Sequence, residues 1–182
     1  MSGPSCEVPA RSEADIFGLA QAVRTDLKIS ADDFPIIEFL ELGMPLLFEG
    51  FSFELGTYAQ MGSNHGLTIP SENVIRLRED VYEGCCSGRG RDRFTAAHEL
   101  GHYLMHRNAA IKFHRAENGR LPAYLDSEWQ ANRFAGGLLM PELLMKSCAS
   151  LDEVVNRFKV SRDAAIVQNK VLAKKNKMQI LS

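Results

Sequence analysis

The chain has 182 residues, 45% of them hydrophobic, with a formal net charge of -2 and a pI near 6.2. That length supports one core with at most a small appended subdomain, and the balanced charge supplies no general field for nucleic acid, so a DNA-binding role would need a local patch. No basic stretch followed by an apolar one opens the chain, no apolar run is long enough to cross a bilayer, and the four cysteines (Cys6, Cys85, Cys86, Cys148) follow no disulfide pattern. A soluble, cytoplasmic protein with free thiols and no membrane partner is expected.

Ile16, Leu19, Ala20, Val23 and Leu27 recur at helical spacing and predict a first packing helix; a second, short helix is expected from Pro35 to Gly43. The pattern then breaks into short apolar pieces at 46–48, 67–69 and 74–77, separated by Gly, Pro, Ser and Asn, which predicts a small sheet. Residues 73–78 alternate apolar with polar, as a strand with one wet face would. Glycines 84, 88 and 90 mark a loop. Cys85 and Cys86 within it raise the idea of a thiolate that ligates and blocks a metal, although small residues in a loop is the favoured reading.

The next helix carries His98-Glu99-Leu100-Gly101-His102. Histidines four apart are neighbours one helical turn on, so both can bind one cation, and the intervening glutamate can take a proton from water. At 100° per residue, Thr95, His98, His102 and His106 share an arc of about 80° with Glu99 at its edge, while Phe94, Ala97, Leu100, Leu104 and Met105 take the other side. A polar front and a buried back are therefore expected. Gly101 costs roughly 1 kcal/mol relative to alanine in mid-helix, which suggests that another backbone comes close.

A catalytic zinc takes three protein ligands, so a third is needed. Met105 and Asn108 stand where a metzincin would have its glycine and third histidine, which excludes that class. Glu117, Asp126, Glu128 and Glu142 are the downstream carboxylates, and spacing does not choose among them. After a loop over 108–125, a helix is expected over 126–139, ending at Met140-Pro141, with the small residues Ala131, Ala135 and Gly136 facing Gly101. Two more amphipathic helices follow, one built on Leu151, Val154, Val155 and Phe158, the other on Ala164, Val167, Val171 and Leu172, with Ser161 as the cap between them.

Three segments in order, Arg93-Phe94-Thr95-Ala96-Ala97-His98-Glu99-Leu100-Gly101-His102, Glu128-Trp129-Gln130-Ala131-Asn132-Arg133-Phe134-Ala135 and Leu138-Leu139-Met140-Pro141, resemble the ImmA/IrrE metallopeptidases. The resemblance is firm over 73–141, extends to the C-terminal helices and is weak before residue 46. It implies an α+β, zincin-like fold of the gluzincin type: a short mixed sheet packed on the HExxH helix and on a second ligand-bearing helix. The expected division is a metallopeptidase domain over 1–145 and a helical, helix-turn-helix-like subdomain over 146–182. The resemblance makes Glu128 the third metal ligand beside His98 and His102. Gln130 departs from the acidic residue many members carry there, at a position that is not a ligand.

Glu99 is then the expected catalytic base and Zn2+ the expected cofactor, with another divalent metal as the alternative. Tyr103, His106, His114, Tyr124 and Arg133 could each stabilise the oxyanion, and the sequence selects none. His106 is placed to contact substrate or to support the ligands. Peptide recognition is expected on an exposed strand edge, for which the 73–78 strand, with Val74 and Arg76, is the candidate; Trp129 and Phe134 are read as core. The resemblance implies cleavage of a helix-turn-helix repressor or antitoxin-like regulator, relieving repression in mobile elements or stress responses. For 151–165 the alternatives are DNA or repressor docking and a hairpin that completes the core; the intermixed acidic residues favour the hairpin over DNA. Two other functions compete: regulation by binding alone around a structural or vestigial metal site, and hydrolysis of small molecules, which would require a deep enclosed pocket.

Overall fold

The computed structural model describes residues 6–109, 121–176 and 181. Helix α1 (Glu13–Asp26) starts where Ser12 and Asp15 form a reciprocal capping box, and it buries Ile16 and Ala20. The second helical segment, expected from Pro35, begins at Ile36 with Pro35 as its cap position, and it does not stop at Gly43. It runs from α2 (Ile36–Glu38) through a π-helical stretch, Phe39–Gly43, into α3 (Met44–Leu47). Pro45 lies in the first turn of α3, where its missing N–H is tolerated, so the expected strand at 46–48 is instead a helix end. The strand that replaces it is β1 (Ser52–Gly56), followed by α4 (Tyr58–Met61), β2 (Gly66–Ile69) and β3 (Val74–Arg78).

The described sheet has the order β1-β3-β2, with β1 parallel and β2 antiparallel to β3. The 73–78 strand is therefore central. Val74, Ile75, Leu77 and Arg78 are all buried, so the strand has no wet face and neither of its edges is open to a peptide. Among the described residues, the free edges belong to β1 and β2.

The stretch read as a glycine-marked loop contains α5 (Glu79–Cys86), and only residues 87–89 separate it from α6 (Gly90–His106). Gly84 is a packing glycine inside α5: a Cβ there would lie 1.9 Å from Asp92 Oδ2. Helix α7 (Ser127–Leu139) is capped by Asp126, which accepts from the N–H groups of Glu128 and Trp129 at 2.8 and 3.1 Å. Then come α8 (Glu142–Met145), α9 (Leu151–Phe158) and α10 (Arg162–Asn176), the last with Ser161 accepting from Ala164 N–H at 3.2 Å.

One hydrophobic cluster runs from Ile16 in α1 through Ile75, Leu77, Leu100 and Tyr103 to Phe134 and Leu138, and on to Leu151, Val154, Phe158 and Leu172. It crosses the expected boundary at residue 145 without interruption. Gly101 does sit at a close approach, but what lies over it is the Phe134 ring, with Cδ1 3.0 Å from a Cβ built at Gly101. Gly136 instead faces Gln168 of α10. The polar front of α6 is covered as well, with His98, Glu99 and His106 at 4%, 2% and 4% exposure. Helix α7 packs along it, which turns a face that would be wet on an isolated helix into the wall of a site. Among the described residues, no helix is long and apolar enough to cross a membrane.

Candidate metal centre

Helices α6 and α7 bring together His98, His102 and Glu128, whose donor atoms all lie within 4.8 Å of one another. His98 Nε2 is 2.9 Å from His102 Nε2, and Glu128 places Oε2 at 3.3 Å from the first and Oε1 at 3.1 Å from the second. Tetrahedral ligands held at 2.0–2.2 Å from a zinc stand roughly 3.3–3.6 Å apart, so the trio needs only a slight expansion to fit.

The surroundings of the two imidazoles point the same way. His98 Nδ1 is 3.0 Å from Asn132 Oδ1, an atom that only accepts, so this nitrogen carries the proton. His102 Nδ1 is 3.1 Å from Nδ1 of His106. Both Nε2 atoms thus converge on one carboxylate, an arrangement that calls for a cation or a proton between them. In the metal-free protein burial works against a charge on His98, but the Glu128 hydrogen bond and the nearby carboxylate of Glu99 outweigh it and its pKa is raised. Burial likewise opposes charge on Glu128, yet its hydrogen bonds to His102 and His98 prevail and bring it down to about 2. The carboxylate is therefore ionised at neutral pH, as a ligand must be.

Glu99 sits at the edge of this cluster. The Thr68 hydroxyl of β2 lies 2.8 Å from its Oε2 and 2.9 Å from its backbone carbonyl, and Gly66 presses on it so closely that a Cβ would be 2.6 Å from Glu99 Cγ. The sequence reading missed both β2 residues and Asn132. The position of Asn132 one turn after Glu128 was the available signal, because a side-chain acceptor there shares a face with the ligand.

His106 is buried, with Nδ1 3.1 Å from His102 Nδ1 and Nε2 3.0 Å from Gln130 Oε1, so both of its nitrogens are engaged by side chains. Burial pushes its pKa down to about 4. Val74 is buried in the central strand, and Arg76 is paired with Glu54 at 2.6 Å; neither lies on an open edge.

Of the oxyanion candidates, Tyr103 is fully buried between Phe48 and Phe51 and bonds to Asn73, Arg133 pairs with Glu13 at 3.0 Å, Tyr124 is exposed, and His114 lies outside the described residues, as does Glu117. Asp126 is used as the α7 cap, and Glu142 pairs with Lys146. Cys85 and Cys86 are in α5 and line a separate cleft with Asp33 and Arg93, so neither thiol reaches the trio. Burial raises Cys85 to about 12. Burial, together with the charges of Glu128 and Asp126, raises the pKa of Cys6.

A groove of about 620 Å³ adjoins the centre. Thr95 and Phe94 of α6, Trp129, Asn132 and Arg133 of α7, Val167 of α10, and His65 just before β2 contribute to its walls. Phe134 is core as expected, whereas Trp129 is half-buried and lines this groove.

A search of curated proteins finds no match to the chain. A family model does match: the IrrE N-terminal-like domain of the M78 peptidases, over residues 59–168, a stretch that holds all three donors, Glu99, β2 and the groove. The small mixed sheet, the two donor-bearing helices and this match, which covers more than half of the chain, place the protein in the IrrE-like M78 metallopeptidase family, with a zincin-like α+β fold.

Proposed function

We propose that the protein is a zinc-dependent endopeptidase that cuts one partner protein, with His98, His102 and Glu128 as metal ligands and Glu99 as catalytic base. The observation that carries this reading is the pairing of an open three-donor set with a separate carboxylate: a closed structural site uses four protein ligands and has no need of Glu99. A divalent cation held by the trio supplies Lewis acidity to a water and to a peptide carbonyl. Glu99 takes the proton of the attacking water and hands it to the departing amine, and the Thr68 hydroxyl and Gly66 fix where its carboxylate points. Asn132 keeps the His98 ring turned so that Nε2 faces His102 and Glu128, where a cation would be held.

The substrate lies extended on the free edge of β2. That edge passes Glu99 at Gly66 and Thr68, and the groove beside His65, Thr95 and Trp129 takes a side chain of the peptide. A site that reads the backbone requires an unfolded or flexible segment of its target. The resemblance supports a helix-turn-helix repressor or antitoxin-like regulator as that target, with repression relieved by its cleavage. The helical pair α9–α10 is the proposed docking subdomain for it. DNA is disfavoured as its ligand, since Arg157, Lys159 and Arg162 are each paired with an aspartate, Asp32, Asp33 and Asp152.

Coexpression with a candidate helix-turn-helix repressor, comparing wild type with Glu99→Gln, tests the whole reading. Repressor fragments with wild type and intact repressor with the variant are expected. Loss of repressor function without fragments in both cases would favour binding without proteolysis.

A further inference from the structure

The hydrogen-bond chain behind His102 has a direction, and it starts from the backbone. Gln130 is fully buried, and its amide nitrogen donates to two carbonyl oxygens, Pro9 at 3.0 Å and Tyr124 at 2.8 Å. That fixes which way the amide points, because turning it over would press its oxygen against both carbonyls. Oε1 therefore faces His106 Nε2 at 3.0 Å, and since an amide oxygen only accepts, Nε2 of His106 carries the proton. His106 is 4% exposed, and among the described residues no carboxylate hydrogen-bonds to it, so it holds a single proton and its Nδ1 is a lone pair. Across 3.1 Å, His102 Nδ1 must then donate. In neutral His102 the remaining lone pair is on Nε2, the atom that faces His98 and Glu128.

We infer that Gln130 and His106 form a tautomer lock, which imposes the metal-binding form of His102 before any metal arrives. The inference rests on the metal-centre reading above. His98 has the same device in one step, through Asn132 Oδ1; His102 is served by a relay of two side chains anchored on residue 9 at one end of the chain and residue 124 next to α7. The lock also accounts for an amide, and not a carboxylate, at position 130. Only a group that accepts on one side and donates twice on the other satisfies His106, Pro9 and Tyr124 together, and a carboxylate would face two carbonyl oxygens with nothing to give. Gln130 and His106 are positioning residues and touch no substrate.

Long-range proton–nitrogen correlation spectra of the metal-free full chain at neutral pH report tautomers directly. His102 should be protonated on Nδ1 and His106 on Nε2. Zinc affinity measured by chelator competition should fall about 10–100-fold in Gln130→Met and in His106→Leu. His106→Gln, whose amide can accept from His102 and donate to Gln130, should lie closer to wild type than His106→Leu. Thermal melts identify any variant that fails to fold, and the wild-type tautomers decide the matter in that event. His102 protonated on Nε2 in the wild type, or zinc bound by a folded Gln130→Met as tightly as by wild type, would overturn the lock alone. Failure of the wild type to bind zinc would overturn the metal-centre reading instead.

Discussion

Replacing Gly66 by alanine isolates what β2 does for Glu99. Gly66 is buried and has no positive φ, so alanine fits the backbone and any effect is steric. The new methyl would stand 2.6 Å from Glu99 Cγ, 3.0 Å from Oε1 and 3.1 Å from Cδ. Ordinary carbon contacts need about 3.5–4.0 Å, so carboxylate and strand must part by ~1 Å. The strand resists, because Gly66 pairs with Leu77 and Thr68 with Ile75 of β3, and the carboxylate is tied to the Thr68 hydroxyl. Overpacking of this kind costs about 1–3 kcal/mol, a melting temperature lower by roughly 2–12 °C for a chain of this size. A ~1 Å displacement of the base lowers turnover by ~10²-fold. Zinc affinity should stay near wild type, since Glu99 is not among the three clustered donors. Turnover of a cognate substrate, thermal melting and chelator competition on the same preparation make the test. Unaltered turnover would refute the role of β2 in aiming Glu99, and a loss of zinc affinity as large as the loss of turnover would show that the methyl acts on the metal site instead.

Four further outcomes are expected. Glu128→Gln should weaken zinc binding by more than the ~10–100-fold characteristic of a residue that merely supports a ligand, read by chelator competition. Stripping the metal should destabilise the fold: free zinc at a thousandfold excess over Kd adds ~4 kcal/mol, a drop of roughly 8–16 °C in melting temperature on chelation, and an unchanged melt would argue against a bound ion. In the metal-free protein, the neutral form of His106, held down to about 4 against 6.5 in the unfolded chain, favours folding fully above pH 6.5, and this is lost as pH falls through about 4. The difference in urea stability between wild type and His106→Gln should shrink by ~3 kcal/mol over that window, in opposition to His98, whose raised pKa favours folding at the acid side. Gly90→Ala should be the most damaging glycine replacement near the site. Its Cβ would meet the backbone of Val160 and Ser161 at 2.2 and 2.4 Å, atoms that cannot rotate away, so either soluble yield or more than about 3 kcal/mol of stability should be lost.

The two candidate donors on α6 were legible in the sequence because a helix fixes the separation of residues four apart without help from the rest of the chain. Glu128 was one of four carboxylates on spacing alone, since nothing local says which way α7 will lie across α6. The sheet was misread for a related reason. Residues 73–78 do alternate apolar with polar, but Arg78 is buried with bonds to Asp80 and to the Gly62 carbonyl, and Arg76 is half-buried and paired with Glu54, so a polar residue did not mark a wet face. The pattern Ser-Phe-Glu-Leu-Gly at 52–56 carried the same alternation and was the missing edge strand.

The glycines show where a local rule stops. Gly84 is required in α5 because Asp92 fills the space where a side chain would be, Gly90 at the start of α6 because the α9–α10 turn does, and Gly66 in β2 because Glu99 does. In each case the cause sits in another element, so the sequence announces that something small is required and not what requires it. His106 is the same problem with polarity in place of volume. Its position one turn past His102 suggested a partner for substrate or ligand alike, and what decides between them is Gln130, 24 residues on, whose orientation is itself set by carbonyls at 9 and 124. A motif can specify which atoms could hold a metal. Whether those atoms present lone pairs or protons is specified by contacts distant in sequence, which is why the tautomer of His102 is the more searching test of this site than the presence of His98-Glu99-Leu100-Gly101-His102.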